Sequence, residues 1–436
     1  NHTLKIRSDE MIIYTVKQGD TLENIANENG VTVEQILNTN FPPNPDNLVV
    51  GQKLVILVPE VEYIVEEGDT LDSIAQKFNT SVIDILQKNP SIENAQIYTG
   101  QNLVIEYENG QDKRFIATNG YTYSNIDRQL LLRTLPYLTF LTIFTYGFTD
   151  EGVLIEPDDT ELIKIARDYG VAPVMLISTL TEQGTFSNAL AKTLLEDNVL
   201  QQVLIENIIT IMEQKGYMAL DIDFEYLPVE NRDNYIEFVS NLTRQLNDKG
   251  FLSLVALAPK TSVNQPGLLY ESHDYRGLGE AANLVLLMTY EWGYTYGPPM
   301  AVSPIDKVEE VVRFGVSQIN SQKILMGIPL YGYDWTLPFV RGNTGAKSLS
   351  PQQALEIASE NNVTIEYDEV AQAPYFYYTK DGNSHVVWFE DADSVVAKLN
   401  LINKYNLVGA SYWNITKDFP QNWLVLISLY KVVKLL

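Results

Sequence analysis

Cysteine is absent from the 436 residues, which excludes disulfides and thiolate metal sites. The three histidines, His2, His273 and His385, are scattered along the chain, so no zinc site is expected; no other metal and no cofactor enters the reading. Basic residues are scarce, 30 against 56 acidic ones, for a net charge of −26. Binding to phosphates or an anionic membrane needs clustered Lys and Arg, so the balance argues against nucleic acid as a partner and leaves a neutral one, such as a sugar, open. Long apolar runs are also missing. The nearest, 423–430, is short and followed by lysines, so a packed final helix is expected and no membrane insertion. Residues 1–10 are polar and contain no apolar segment of the kind a secretory signal needs. They read as an N-terminal extension, a remnant ahead of a natural start at Met11. The length and the 45% hydrophobic content suit a soluble globular protein of two to four domains with at least one large core.

The chain does have an internal repeat. Tyr14-Thr-Val-Lys-Gln-Gly19-Asp20-Thr21-Leu22 recurs as Tyr63-Ile-Val-Glu-Glu-Gly68-Asp69-Thr70-Leu71 at an offset of 49 residues. The same offset relates Asn40 to Asn89, Gly51 to Gly100 and Leu54 to Leu103. In each copy a short strand ends at Gly-Asp, and Asp20 or Asp69 is placed to cap a helix that starts at Thr-Leu. Ile25 and Ala26, or Ile74 and Ala75, give that helix its apolar face. A second helix (33–38; 82–88), a turn and a closing strand complete a βααβ unit. The Y-x-V-x-x-G-D-T-L-x-x-I-A opening and the G-Q-x-L-V-I ending resemble the LysM module, over 11–58 and 59–107. The resemblance implies binding of N-acetylglucosamine-containing glycans such as peptidoglycan or chitin. It places the sugar between the loop after the first strand and the loop after the second helix. By position these are Gly19, Asp20, Thr21 and Leu22 with Asn40, and Gly68, Asp69, Thr70 and Leu71 with Asn89. The same residues also read as caps and turns.

From Lys113 the pattern changes to apolar runs separated by amphipathic segments. Strands are expected at 115–118, 137–144, 173–178, 218–226, 252–258, 284–290, 324–330 and 408–413, with helices between most of them. Eight strands alternating with helices predict an α/β fold, a (β/α)8 barrel over 113–436. The gap after strand seven is too long for a simple connection and carries its own strand signals around Asp381-Gly382-Asn383. A small α+β insertion is expected at about 334–407, walling one side of the cleft.

The run Leu220-Asp221-Ile222-Asp223-Phe224-Glu225-Tyr226 alternates apolar and acidic side chains with the period of a strand. Three carboxylates on one face repel one another, so at least one should keep a proton near neutral pH, as a general acid requires. A solvated acidic face and a weak cation site fit the same pattern. In a barrel, however, the ends of strands point into the active site. Glu225 and Tyr226 close strand four, Met288-Thr289-Tyr290-Glu291-Trp292 strand six, Tyr331 follows strand seven and Tyr412-Trp413 close strand eight. Such a polar and aromatic ring suits a sugar, although any single aromatic reads equally well as core.

These residues resemble glycoside hydrolase family 18. Its strand-four D-G-x-D-x-D-x-E matches Asp221, Asp223 and Glu225 in register, with Met218 and Ala219 in place of the first Asp and the Gly. Strand six reads Met288-Thr-Tyr-Glu291 for M-x-Y-D, strand seven keeps Gly327-Ile-Pro-Leu-Tyr-Gly332, and strand three is reduced to Ser178-Thr179-Leu180. The resemblance implies a retaining mechanism assisted by the substrate's own acetamido group. In it Glu225 is acid and base, Asp223 holds the acetamido N–H, Asp221 shares a proton with Asp223, and Tyr290 meets the acetamido carbonyl. Trp413 forms the floor, and Glu291, Trp292, Tyr331 and Tyr412 are further substrate contacts. Two LysM-like modules ahead of such a barrel also resemble the spore cortex-lytic N-acetylglucosaminidases of endospore-forming bacteria. The expectation is a monomeric peptidoglycan hydrolase of the spore cortex, coat or cell wall, cleaving β-1,4 bonds after N-acetylglucosamine. A chitinase or chitooligosaccharide hydrolase is the alternative enzyme, and a non-catalytic glycan-binding spore-coat protein the alternative of another class. Retention of Glu225 separates the enzymes from the last.

Overall fold

The computed structural model describes residues 7–8, 11–108, 113–181, 183–343 and 345–436. Apart from the backbone of Arg7–Ser8, which pairs with Met11–Ile12, the expected N-terminal extension and His2 lie outside the described residues.

Eight parallel strands close into a barrel: β1 (Phe115–Tyr123), β2 (Phe140–Phe148), β3 (Ala172–Ser178), β4 (Ala219–Asp223), β5 (Leu252–Leu257), β6 (Leu284–Leu287), β7 (Ile324–Pro329) and β8 (Gly409–Trp413). They pair in sequence order, and β8 returns to β1 to complete the ring. The side chains that point inward fill the ring in layers, as such barrels require. Ala117, Phe140, Ala172, Val174, Ala219, Leu254 and Leu325 form the apolar base. Met218, which stands where the family pattern has an acid, packs against this base layer. Tyr121, Leu176, Ala256 and Leu286 form the layer under the mouth. Outward-pointing residues, among them Leu220, Ile222 and Phe224, enter the main core beneath the surrounding helices.

Several strand boundaries differ from expectation: β2 covers Phe140–Phe148 instead of 137–144, and β6 ends at Leu287, leaving Met288-Thr289-Tyr290 beyond it. β1 runs five residues past Thr118, because Asn119-Gly120 is strand and not turn. A Cβ at Gly120 would stand 2.8 Å from the Leu138 side chain and 2.9 Å from that of Ile415, so glycine serves close packing there. β4 stops at Asp223, leaving Glu225 in the segment beyond it. The apolar run near the end is a helix, Pro420–Leu429, whose Trp423 stacks on Tyr137 with centroids 5.4 Å apart.

After β7 the chain builds a five-stranded antiparallel sheet (Gly332–Leu337, Lys347–Leu349, Glu366–Asp368, Ala373–Lys380, Asn383–Trp388) against the helix Pro351–Glu360. The next helix, Ala392–Lys404, buries Val395, Leu399 and Ile402 in the barrel's own core. Of the 334–407 stretch, only the part up to Trp388 therefore belongs to the inserted sheet.

Each module is a two-helix unit closed by an antiparallel strand pair, Met11–Thr15 with Lys53–Ile56 and Pro59–Ile64 with Asn102–Tyr107. The first helices start at Leu22 and Leu71, and their caps are Thr21 and Thr70, whose hydroxyls accept from the Asn24 and Ser73 N–H groups. The expected capping role of Asp20 and Asp69 does not hold. Both carboxylates close the preceding turn instead, taking the Lys17 or Glu66 N–H and the Tyr14 or Tyr63 hydroxyl. Gly19 and Gly68 have φ of 87° and 91°, a backbone that turn requires of glycine. Asn40 and Asn89 are brackets. Each donates to the carbonyl of Val55 or Val104 (2.8 and 2.7 Å) and accepts from the same residue's N–H (2.7 and 2.8 Å), pinning the second helix to the closing strand.

The first module is bonded to the catalytic body through its loop after the second helix. The Phe41 carbonyl accepts from Gln352 (2.8 Å), the Val50 carbonyl from the Ile365 N–H (2.9 Å), and Lys53 pairs with Asp393 at 2.6 Å. The second module meets the barrel at Gln87, which donates to the Pro136 carbonyl and whose own carbonyl accepts from the Tyr137 hydroxyl.

Truncating Asn40 to Ala strands a buried N–H and a buried C=O of Val55. Unfolding free energy should fall by roughly 2–4 kcal/mol, read by urea titration, with Asn89→Ala showing the same loss.

Candidate active site

Strand alternation aims the acids of β4 inward and stacks them toward the mouth. Asp221 is fully buried and accepts the Tyr121 hydroxyl at 2.5 Å. Asp223 follows, and Glu225 lies just past the strand, with Tyr226 at φ 55° turning the chain outward. The turn is pinned by His273, whose Nδ1 accepts the Ala258 N–H (2.8 Å), so its Nε2 carries the proton and donates to the Phe224 carbonyl (2.9 Å). Burial lowers the His273 pKa to about 4, so this brace between the ends of β4 and β5 stays neutral.

Burial is also the largest influence on the three acids, and it works the other way. The Asp221 pKa rises to about 6, held back by the Tyr121 hydroxyl and the Ile222 backbone. Asp223 is pushed up by burial and by the Asp221 charge, and Glu225 by burial, Asp223 and Glu291. These acids titrate as a group, and the position nearest solvent, Glu225, is biased toward the protonated form.

The cleft above them has a volume of about 490 Å³. Asp223, Glu225, Tyr290, Glu291 and Trp413 line it, as expected from sequence. Trp413 stands edge-on to Tyr121, Tyr123 and Phe144, with centroids 5.2–6.2 Å away, which fixes its ring. Glu291, at φ 68°, accepts the hydroxyls of Tyr331 and Tyr333, so Tyr331 acts behind Glu291 and does not line the cleft. Trp292 packs against the main core instead of lining the cleft. Tyr412 points the opposite way, because it is one residue out of phase with Trp413 on β8; it is fully buried against Trp423. Tyr226, expected at the end of strand four, also lines the cleft, and three cleft aromatics were absent from the expected set: Tyr121, Tyr270 and Tyr294. The β1 alternation past Asn119-Gly120 would have found Tyr121; Tyr270 and Tyr294 sit on irregular segments with no periodic signal.

The module residues fall into two groups. Leu22 and Leu71 are buried, and the side chains of Asn40 and Asn89 are spent on their brackets, so those four present no side chain to a glycan. Gly19 and Thr21, with Gly68 and Thr70, stay exposed beside the half-buried Asp20 and Asp69.

A parallel barrel with a proton-holding carboxylate ladder and an aromatic floor at its C-terminal mouth is a glycosidase scaffold. The model of glycosyl hydrolases family 18 matches residues 119–418, and the LysM domain model matches 14–57 and 63–106. The chain belongs to glycoside hydrolase family 18 and carries two LysM domains at its N-terminal side. It is 48% identical to a cortical fragment-lytic enzyme of Bacillus subtilis (strain 168), over 97% of this chain and 99% of that one. It is 43% identical to the enzyme of the same name from Bacillus anthracis, with the same coverage. The crystal structure of the Bacillus megaterium QM B1551 spore cortex-lytic enzyme SleL superposes with a TM-score of 0.83 at 38% identity, covering 97% of this chain and 99% of that one.

Because the folded Asp221 pKa of about 6 lies above the ordinary aspartate value of 3.8, its ionisation costs stability above pH 6 and nothing below pH 4. Asp221→Asn should therefore raise unfolding free energy at pH 8 by at most ~3 kcal/mol, a gain that vanishes toward pH 4 in denaturant titrations.

Proposed function

We propose that this protein hydrolyses spore cortex peptidoglycan at the β-1,4 bond after N-acetylglucosamine, by a retaining mechanism in which the substrate's acetamido group is the nucleophile. The observation that carries it is Glu225, an acid kept protonated by burial between Asp223 and Glu291 at the wall of a cleft floored by Trp413. Glu225 gives its proton to the glycosidic oxygen as the C1–O bond breaks. The acetamido carbonyl oxygen bonds to C1 from the other face, forming an oxazolinium ion. Asp223 accepts the acetamido N–H and offsets the positive charge that develops there. Tyr290 donates to the acetamido carbonyl and keeps it aimed at C1. Water then attacks C1 as the bond from C1 to the acetamido oxygen breaks, and the Glu225 carboxylate takes a proton from the water, which restores the acid, the free acetamido group and the original configuration at the sugar. Asp221, anchored by Tyr121, adjusts the charge that Asp223 carries. Glu291, held by two tyrosines, serves as a substrate contact.

The substrate assignment is supported by the names of the full-length relatives and by the agreement between the two halves of the chain. The mechanism demands an N-acetylated sugar, and LysM domains bind glycans of that kind. The protein acts as a monomer at the spore cortex or cell wall, with modules at 11–58 and 59–107 and the catalytic unit at 113–436.

Glu225→Gln should lower kcat on cortical fragments by roughly 10²–10⁴ while leaving fragment binding intact. Faster wild-type turnover of chitin oligomers than of cortical fragments would overturn the substrate assignment.

Activity needs protonated Glu225, so it falls as pH rises through that group's pKa. Asp223→Asn removes the neighbouring charge that raises this pKa. The residual activity of the variant should lose its alkaline limb at lower pH than wild type, as read from the kcat profile.

A further inference from the structure

The two modules do not meet the catalytic body alike. The first is bonded through its own loop after the second helix. In the second, both loops of the expected sugar groove open onto space walled by the barrel. Asp69, Thr70 and Leu71 on one side, with Ala95 and Ile97 on the other, line a cavity of about 1100 Å³. Its far wall is the base of the barrel: Phe115 at the start of β1, Tyr169 just ahead of β3, and Lys431 on the strand that pairs with Phe115. The volume is more than twice the 490 Å³ of the catalytic cleft.

Three features of this wall suit a sugar. Tyr169, although it belongs to the barrel, packs against the second module's hydrophobic core and also lines the smaller space beside Asn89–Ala95, so it reaches into the groove mouth between the two loops. Phe115 is 63% exposed and lines the cavity. The Lys431 ammonium lies 5.9 Å from the centre of the Phe115 ring, a cation beside an aromatic plane in a chain of net charge −26.

We propose that the second LysM domain and the barrel base form a single glycan-binding site. Sugar rings of an N-acetylglucosamine-containing strand lie between loop 68–71 and the rings of Tyr169 and Phe115, and Lys431 meets carboxylates carried by the strand. Aromatic faces take the C–H faces of sugars, and Lys431 sets a positive charge beside them in a lining that also carries Asp69, Asp72, Asp84, Glu106 and Asp168. The site is at the opposite end of the barrel from the cleft, since β1 starts at Phe115 and carries Tyr121 of the cleft near its other end. Nine strand residues span about 27 Å. The strand held at the base is thus a second strand, or a distant part of the one being cut.

This rests on the glycan-binding reading of the LysM domains, and the test separates the two. Full-length Glu225→Gln protein is mixed with the N-acetylglucosamine hexamer, and separately with soluble peptidoglycan fragments, and hydrogen exchange is followed by segment. The expected result is protection at 68–72 and 95–98 together with 113–117, 168–171 and 430–433. Protection of the module loops alone would overturn the joint site and leave module binding standing. Protection of neither module would overturn the glycan reading itself. As a second arm, Phe115→Ala with Lys431→Ala changes two exposed side chains, and thermal unfolding checks that the fold is kept. The pair should weaken retention on insoluble peptidoglycan about tenfold and leave turnover of a small soluble substrate unchanged. Unchanged retention would count against the joint site.

Discussion

Three carboxyl groups on one strand face, in a space largely closed to water, cannot all be charged. Burial, with the repulsion it leaves unscreened, is the constraint on which the rest of the catalytic domain depends. It makes protonation of the Asp221–Asp223–Glu225 group the resting condition and concentrates the mobile proton at the solvent side. The neighbouring residues control the repulsion without abolishing it. Tyr121 anchors the deepest acid, the tyrosines behind Glu291 hold the fourth carboxylate, and neutral His273 braces the turn without adding a charge. A cation in the ladder would relax the system and lose the proton. Met218 adds no charge at the bottom, where an apolar residue lets the ladder end on a dry layer instead of extending into it.

The two modules show one sequence unit doing two structural jobs. Their polar signature is mostly internal: turn-closing aspartates, capping threonines and bracketing asparagines. These hydrogen bonds let a domain with a core as small as that of either module keep a defined shape. What differs is the outward surface. The first module spends its loop after the second helix on the inserted sheet and helix, whereas the second turns its groove toward the base of the barrel.

Much of this was legible in the residues. The 49-residue offset, the eight apolar runs and the period-two acidic strand are patterns that backbone geometry imposes directly, and each led to the element it predicted. The misreadings share a cause. The first strand was expected to end at Thr118, but Gly120, packed against Leu138 and Ile415, continues it, so Tyr121 went unseen. Tyr412 and Trp413 are adjacent in sequence and opposite in space, a distinction that depends on strand phase and not on composition. Asp20 and Asp69 are good helix-capping residue types, yet the threonine one place later is better positioned and takes the role. Tyr270 and Tyr294 come from irregular segments, where no period announces which way a side chain will point.

The contacts of Phe41 and Val50 with the inserted unit, and of Lys53 with Asp393 on the barrel helix Ala392–Lys404, have a mechanical consequence. The sheet of that unit starts directly after β7, and its Tyr333 holds Glu291 of the cleft, so the first module is bolted to a body that supports the catalytic wall from behind. A grip on the polymer by that module is then not a leash that lets the enzyme wander. It works as a jig, setting a constant interval between the point of hold and the point of cut.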